Sequence, residues 1–427
     1  MPIPRTSSRF GPPVLSYGLR PFFLLGAFHA GAAMLAWLAM LTGRFTIPTS
    51  FASRDWHVHE MLYGYLAAMI AGYLLASIPN WTGRLPLDGG RLLALVALWL
   101  AGRIAVATSE WTGWPVAAVV DVSFLAVLAL AVARETLAGK TWRNIKILVV
   151  LVVLLAGNAS FHLEAHLHGA AEYGLRIGTA AVAFLVMLIG GRIVPSFTRS
   201  ALARRPPGPL PSPFGSVDLI SLGIAAVALA SFIIAPGTPA SAALLLLAGT
   251  AQAIRLARWA GYRAAGDIHI WALHVAFAFV PLGFFLLGLA ALRPDMPASI
   301  GIHAWTGGAF GTMTLAVMTR LAAQHTRRPV LDAPALPALY GLVVGAALFR
   351  IAAGFVEAHA LLLLTVSALA WAAAFLGLFA LLFGPLTAPR LAAPRPVRPA
   401  PGARLAPTTP ARPGAELDDA PRARNGG

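Results

Sequence analysis

The sequence predicts an all-α fold, a polytopic integral membrane helix bundle of about twelve transmembrane helices. Of its 427 residues, 58% are hydrophobic and only 11% are charged, and the mean hydropathy is +0.75. Soluble domains carry about 25% charged residues, so this composition is typical of a membrane protein. The apolar residues also form separate runs that are long enough to cross a bilayer as helices.

The predicted helices follow one another along the chain with short connections between them. Each is placed on one apolar run of about 17–25 residues, and the sixth and seventh are separated by a Pro-rich linker at 204–213. In chain order the helices are expected at 21–42, 57–79, 92–109, 115–133, 146–168, 174–195, 217–235, 240–260, 268–292, 300–320, 336–356 and 360–383.

Three regions are expected along the chain. Residues 1–20 form an N-terminal segment, residues 21–384 form the membrane domain, and residues 385–427 form a tail rich in Pro, Ala and Arg. The tail has no apolar periodicity, so we expect it to be disordered.

The formal charge of +16 reflects membrane topology. All but six of the 32 Lys and Arg residues fall in the alternate loops and helix ends on the side that contains both termini. Cytoplasmic loops carry an excess of basic residues, so both termini are expected in the cytoplasm. The basic residues therefore face lipid and cytoplasm, and no nucleic-acid partner is expected.

A weak internal repeat relates the first four helices to the last four. The Arg-Ile-Ala sequence at 103–105, which ends the third helix, recurs at 350–352 at the end of the eleventh. The isolated histidines recur at nearly the same offset, in the pairs His29 with His274 and His57 with His303. Helices 1–4 and 9–12 are therefore predicted to be copies of one four-helix unit, and functional sites commonly lie where such repeats meet.

Histidine occurs eleven times in the chain, whereas cysteine is absent. Without cysteine there can be no disulfide, thiolate metal site, iron–sulfur cluster or c-type haem attachment. An ionisable residue at membrane depth costs roughly 2.5–3.5 kcal/mol on insertion scales, so repeated histidines in apolar runs indicate function. Any haem is therefore expected to be a non-covalent b-type haem, with imidazole as the expected ligand.

Histidines near the outer ends of the helices predict a metal site. Side chains four residues apart share a helix face, which places His162 together with His166. His57 and Glu60 are three residues apart on another helix, and His59 points away from them because each residue turns the helix by roughly 100°.

Three imidazoles from three helices would suit copper or non-haem iron. The candidate ligands are His57 or His59, His162 or His166, and His303. Glu60 is a candidate catalytic proton acceptor, a metal ligand or a partner that orients an imidazole. Alternatively, these histidines only form hydrogen bonds at the level of the lipid headgroups.

A second, inner site is predicted from His29 and His274, which lie about 10–12 Å from the cytoplasmic ends of their helices. Two facing imidazoles would bind a b-type haem; alternatively, each bonds to a Ser or Thr within the bundle. Arg20, Arg84 and Arg320 would pair with haem propionates or with a quinol headgroup. Alternatively, these arginines only mark the cytoplasmic side.

Four sequence blocks together resemble the NnrS family. Residues 18–23 read Gly-Leu-Arg-Pro-Phe-Phe, residues 56–61 read Trp-His-Val-His-Glu-Met, and residues 79–84 read Pro-Asn-Trp-Thr-Gly-Arg. The fourth block, at 303–320, begins His-Ala-Trp-Thr and continues with Met-Thr-Leu-Ala-Val-Met-Thr-Arg. The resemblance covers roughly residues 15–385, and through these blocks it marks His57, His59, Glu60, His303, Arg20, Asn80, Arg84 and Arg320.

The resemblance implies a haem- and copper-containing protein of the bacterial inner membrane that acts in the nitric oxide response. Its expected activity is to bind NO at a His-ligated haem or haem–metal site and to reduce it with quinol-derived electrons, like a nitric oxide reductase. The alternative is a haem or copper carrier or assembly factor without turnover. A relation to the haem–copper oxidases is disfavoured, because their adjacent His-His pair and their His-Pro-Glu-Val-Tyr block are absent. The oligomeric state stays open.

Overall fold

The structure, a computed structural model, describes residues 11–139 and 144–392. Most of these residues are helical, and no β-strand occurs among them, which confirms the all-α prediction. A helix overlaps each of the twelve predicted segments: α1 (Leu19–Leu41), α2 (Ser53–Thr82), α3 (Gly89–Ala107), α4 (Trp114–Ala138), α5 (Ile145–His168), α6 (Glu172–Leu202), α7 (Ser216–Ile234), α8 (Pro239–Ala257), α9 (Ile268–Leu292), α10 (299–326), α11 (Leu336–Ala352) and α12 (Ala360–Thr387).

Ten of the described helices are long and apolar enough to cross a bilayer, which indicates a multi-pass membrane protein. α10 and α11 are not among these ten. α11 has only 17 residues and therefore rises about 25 Å. The exact number of spans and the orientation of the termini stay predictions.

Several helices extend beyond their predicted ends, because the helical backbone continues past the end of the apolar run. α2 begins at Ser53 rather than at 57, and α6 continues to Leu202 rather than 195. α12 continues through Pro385 to Thr387, so the first residues of the predicted tail are helical. Residues 388–392 are described and are not helical, whereas the tail from residue 393 lies outside the described residues, as do 1–10 and 140–143.

α2 and α10 lie at the centre of the bundle. α2 packs against α1, α3, α4 and α6, and α10 packs against α6, α9, α11 and α12. Each contains a π-helical stretch directly after a histidine, Glu60–Leu66 in α2 and Ala304–Gly311 in α10. π-helical turns are rare and occur frequently at functional sites, so both central helices depart from regular geometry beside candidate ligands.

The packing of the first four helices parallels that of the last four. α1 packs on α2, α2 packs on α3 and α4, and α3 packs on α4. α9, α10, α11 and α12 pack in the corresponding pairs. This correspondence is consistent with the four-helix repeat, which stays a prediction.

Candidate metal centre

A group of polar side chains lies within the apolar interior, where five consecutive helices, α1 to α5, meet. Withdrawing such groups from water is costly unless they pair with one another, and here they are all in contact. We call this group the polar cluster; it consists of His29, His59, Glu60, Arg103, Asp121, Asn158 and His162.

Two imidazoles and one carboxylate of the polar cluster converge on one point. His59 Nε2 and His162 Nε2 each lie 3.1 Å from Asp121 Oδ2. One ligand atom from each residue lies within 4.8 Å of the other two, and all three side chains are at most 2% exposed. Two histidines and one carboxylate are the ligand set of many non-haem iron sites.

His59 has hydrogen-bond acceptors next to both of its ring nitrogens. Nδ1 lies 3.2 Å from Glu60 Oε1, while Nε2 lies 3.1 Å from both Asp121 Oδ2 and Asn158 Oδ1. A neutral imidazole has one N–H and cannot donate on both sides. Both ring nitrogens have a partner if Nε2 binds a metal ion and the Nδ1 proton is donated to Glu60. Both also have a partner if the ring is protonated and donates from each nitrogen.

Arg103 connects the two carboxylates of the polar cluster. Its Nη1 donates to Glu60 Oε1 at 2.7 Å, and its Nη2 donates to Asp121 Oδ1. His29 Nε2 lies 2.9 Å from the second oxygen, Glu60 Oε2. Two carboxylates therefore face a single guanidinium group, and a metal cation or a protonated imidazole would balance the remaining negative charge.

Aromatic rings and a glycine shape the space around the polar cluster. The Phe51 ring centroid lies 5.2 Å from each of the His59 and His162 ring centroids. The Phe51 ring therefore shields both imidazoles from water. Gly64, in the π-helical stretch of α2, lies against Arg103, and a Cβ atom there would be 2.8 Å from Arg103 Nη1. Only glycine leaves that space open.

His166 does not join His162 in the polar cluster, although the two were predicted to share a helix face. The His166 side chain is exposed and stacks on Trp114, with 4.3 Å between ring centroids. Four residues advance a helix by about 40° beyond a full turn. Near the end of α5 this rotation is enough to turn the second ring out of the bundle.

His57 and His303 lie at a separate cavity of about 380 Å³, bounded by α1, α2, α6, α10, α11 and α12. The predicted set of outer histidines is thus divided between two sites. The sequence also paired His57 with Glu60, whereas Glu60 faces His59 in the polar cluster. The pairing assumed a regular helix, whereas α2 changes from α-helical to π-helical geometry at Glu60 and is α-helical again from Ala67.

The cavity offers ligand nitrogens and one cation. His57 Nδ1 and Thr179 Oγ1 are buried and have no hydrogen-bond partner among the described residues. His303 Nδ1 donates to Ser299 O at 2.7 Å, which leaves the lone pair of Nε2 for a ligand. Arg350 also lines the cavity, and no Asp or Glu is among the described lining residues.

The predicted inner pair, His29 and His274, contacts different groups. His274 Nε2 lies 2.9 Å from Thr198 Oγ1, and its ring packs on Trp259, which agrees with the alternative of a bond to Thr. His29 instead belongs to the polar cluster. Because α2 begins four residues earlier than predicted, Glu60 lies about 10 Å inside the helix, within reach of His29.

The three candidate arginines bind protein groups near helix ends. Arg20 donates to two backbone carbonyl groups at the end of α12, at 2.7 and 2.9 Å. Arg84 forms an ion pair with Glu135, and the Arg320 guanidinium lies 4.3 Å from the ring centroid of Phe197. These contacts give each guanidinium group a partner within the protein, and pairing with haem propionates or a quinol headgroup stays a prediction.

Arg103, Asp121 and Asn158 were not predicted as site residues. One feature of the sequence could have identified the two charged residues: an ionisable residue inside a predicted transmembrane helix usually has a function. Arg103 and Asp121 are such residues, and they carry opposite charges on neighbouring helices. Their contact with one another and with His59 follows from the rotation of three helices, which no single segment of sequence specifies.

Comparison with known proteins identifies a family. The family model described as NnrS protein matches residues 13–390, which includes the whole polar cluster and the cavity. No curated protein matches the chain. The resemblance drawn from the four sequence blocks is therefore confirmed.

Proposed function

The chain belongs to the NnrS family, and on this premise we propose that it is a metal-binding membrane protein that binds and reduces nitric oxide. Membership of NnrS suggests a role in the nitric oxide response, and the ten apolar helices agree with action in a membrane. In the proposal, His59, Asp121 and His162 hold an iron or copper ion.

The buried His–Asp–His set is the observation that carries this proposal. Two imidazoles and a carboxylate leave open coordination positions on a transition metal, and such a metal would supply a binding position for a small ligand such as NO. The excess negative charge of the polar cluster favours a cation at this point. We favour non-haem iron because this ligand set is typical of it, with copper as the other outcome.

Glu60 and Arg103 would position the metal ligands. Glu60 accepts the Nδ1 proton of His59, and this directs Nε2 towards the metal. Arg103 holds the Glu60 and Asp121 carboxylates in place. Because Glu60 contacts both His59 and His29, it would be a proton-accepting group beside a metal ligand, which is the role that the sequence predicted for it.

A b-type haem would fit the cavity at His57 and His303 better than it would fit His29 and His274. The volume of about 380 Å³ is within the roughly 300–1,000 Å³ of organic-ligand pockets. His57 or His303 would supply an imidazole ligand, and Arg350 would pair with a propionate. The haem would supply a redox-active iron. Because His57 and His59 both belong to α2, this helix would link the cavity to the polar cluster.

Reduction of NO requires protons and electrons. Two NO molecules, two protons and two electrons give N₂O and water, and oxidation of one membrane quinol to quinone releases two protons and two electrons. The alternative, a carrier of haem or copper, is less well supported, because ligands that are at most 2% exposed are poorly placed to release a metal.

Two histidines on α5 provide a matched test of the metal site. Purified wild-type protein is expected to contain near-stoichiometric non-haem metal and to change its EPR spectrum when NO is added. His162→Ala should lose both the metal and the NO-dependent spectrum, because one of three ligands is removed. His166→Ala, on the same helix but exposed, should keep both.

Metal analysis of the two variants decides the assignment. Loss of metal from both variants, or from neither, would contradict a site at His162. Full metal content in wild type, with no NO consumption when quinol is supplied, would exclude reduction and favour the carrier.

A further inference from the structure

A second cavity of about 80 Å³ lies between α2, α6 and α10. Its walls are aliphatic, aromatic and thioether groups, among them Ile70, Val182, Leu185, Phe310 and Met313. A cavity of this size and lining admits a diatomic gas or a xenon atom and excludes a quinol or a haem.

The polar side chains at this cavity already have partners. Thr314 Oγ1 donates to Phe310 O at 2.8 Å and also contacts the Tyr65 hydroxyl, and the Tyr73 hydroxyl bonds to Ser77. Water gains little in a cavity without free polar groups, and an apolar cavity of about 150 Å³ in another protein stays dry and binds xenon. An apolar gas is therefore the favoured occupant.

The cavity lies between the surface of the bundle and the histidine-lined cavity. At one end Val186, Ile189 and Val317 are only half-buried, so this end reaches the bundle surface. At the other end the Leu66 side chain lines both this cavity and the cavity of His57. Only Leu66 is shared by the two linings, so its side chain forms the wall between them.

We propose that this apolar cavity binds small uncharged gas molecules and is the route by which NO enters from the lipid phase into the cavity of His57 and His303, with Leu66 as the inner gate. Dissolved gas moves from lipid into the cavity without losing hydrogen bonds, because it forms none of consequence in either place. The route rests on the proposed function, whereas gas binding in the cavity does not.

Xenon tests the cavity without any metal or haem. Wild-type crystals pressurised with xenon are expected to show anomalous density between α2, α6 and α10. Val186→Phe, which fills the open end, should remove it, whereas Val119→Phe, at a position 68% exposed on α4, should retain it. Absence of xenon from wild type, or equal occupancy in Val186→Phe, would overturn gas binding.

A smaller substitution provides a second test in case the Val186→Phe variant does not fold. Gly190 lines the cavity, and a Cβ atom there would lie no closer than 3.4 Å to its neighbours. Gly190→Ala should therefore fold normally and lower the xenon occupancy. An unchanged occupancy in Gly190→Ala would count against the cavity.

Stopped-flow measurement of NO association tests the route. Leu66→Phe, with the same metal and haem content as wild type, is expected to slow association at least tenfold. Leu130→Phe, 69% exposed on α4, should not. Equal rates in wild type and Leu66→Phe would overturn the route. If wild type bound no NO at all, the proposed function and the route would both fall, while the xenon result would still decide gas binding.

Discussion

Each residue of the polar cluster satisfies a neighbour that would otherwise be unpaired away from water. Arg103 lies between the carboxylates of Glu60 and Asp121, and His59 lies between the same two side chains. Removing one partner of a buried pair leaves an uncompensated charge and typically costs about 3–5 kcal/mol. The cluster therefore contributes to the integrity of the fold as well as to any bound ligand.

Arg103→Met should lower the free energy of unfolding by about 3–5 kcal/mol, because two buried carboxylates lose their shared cation. Denaturant titration in detergent measures this change. Adding Glu60→Gln to Arg103→Met should recover part of the loss, since interacting residues are non-additive. Arg293→Met removes an exposed partner of Asp295 and is expected to change stability little. Equal effects of the two arginine variants would contradict the role of Arg103.

At the scale of the element, α2 carries candidate ligands on two sides, and each side faces a different site. His57 faces the large cavity and His59 faces the polar cluster. The π-helical turn that starts at Glu60 changes the direction of the following side chains. One helix thus carries candidate ligands for two sites, and Gly64 leaves space for the side chains of the polar cluster.

Gly64→Ala should weaken metal binding at least tenfold while the helix content stays unchanged. The added Cβ would lie 2.8 Å from Arg103 Nη1 and 2.9 Å from His29 Nε2, so these side chains must shift and release Glu60. Metal titration and circular dichroism measure the two quantities. Gly223→Ala on α7, where a Cβ would meet nothing within 4 Å, is the control and should bind metal normally. Normal binding by Gly64→Ala would argue against the cluster as the metal site.

At the scale of the whole molecule, the predicted membrane topology would assign each loop to a side of the bilayer. The distribution of basic residues predicts cytoplasmic termini, which would place the loop between α9 and α10 outside and the linker between α6 and α7 inside. The chain has no cysteine, so a single introduced cysteine reports its own location.

Asp295→Cys, in the loop before α10, should react with a membrane-impermeant maleimide in intact cells, because this loop is predicted to face outwards. Leu210→Cys, 47% exposed in the linker, should react only after the membrane is opened. Gel-shift detection of the labelled protein measures both. The reverse pattern would invert the predicted topology.

The sequence by itself determined the helical class, the approximate limits of the helices and the family, because hydropathy and short motifs are local properties of the chain. It also pointed to His59 and His162, since both lie in apolar runs. Only the tertiary structure decided which imidazoles meet: Asp121 and Arg103 come from other helices, and His57 is separated from His59. The physical reason is that the rotation of each helix depends on packing between distant segments, and this rotation sets the direction of each side chain.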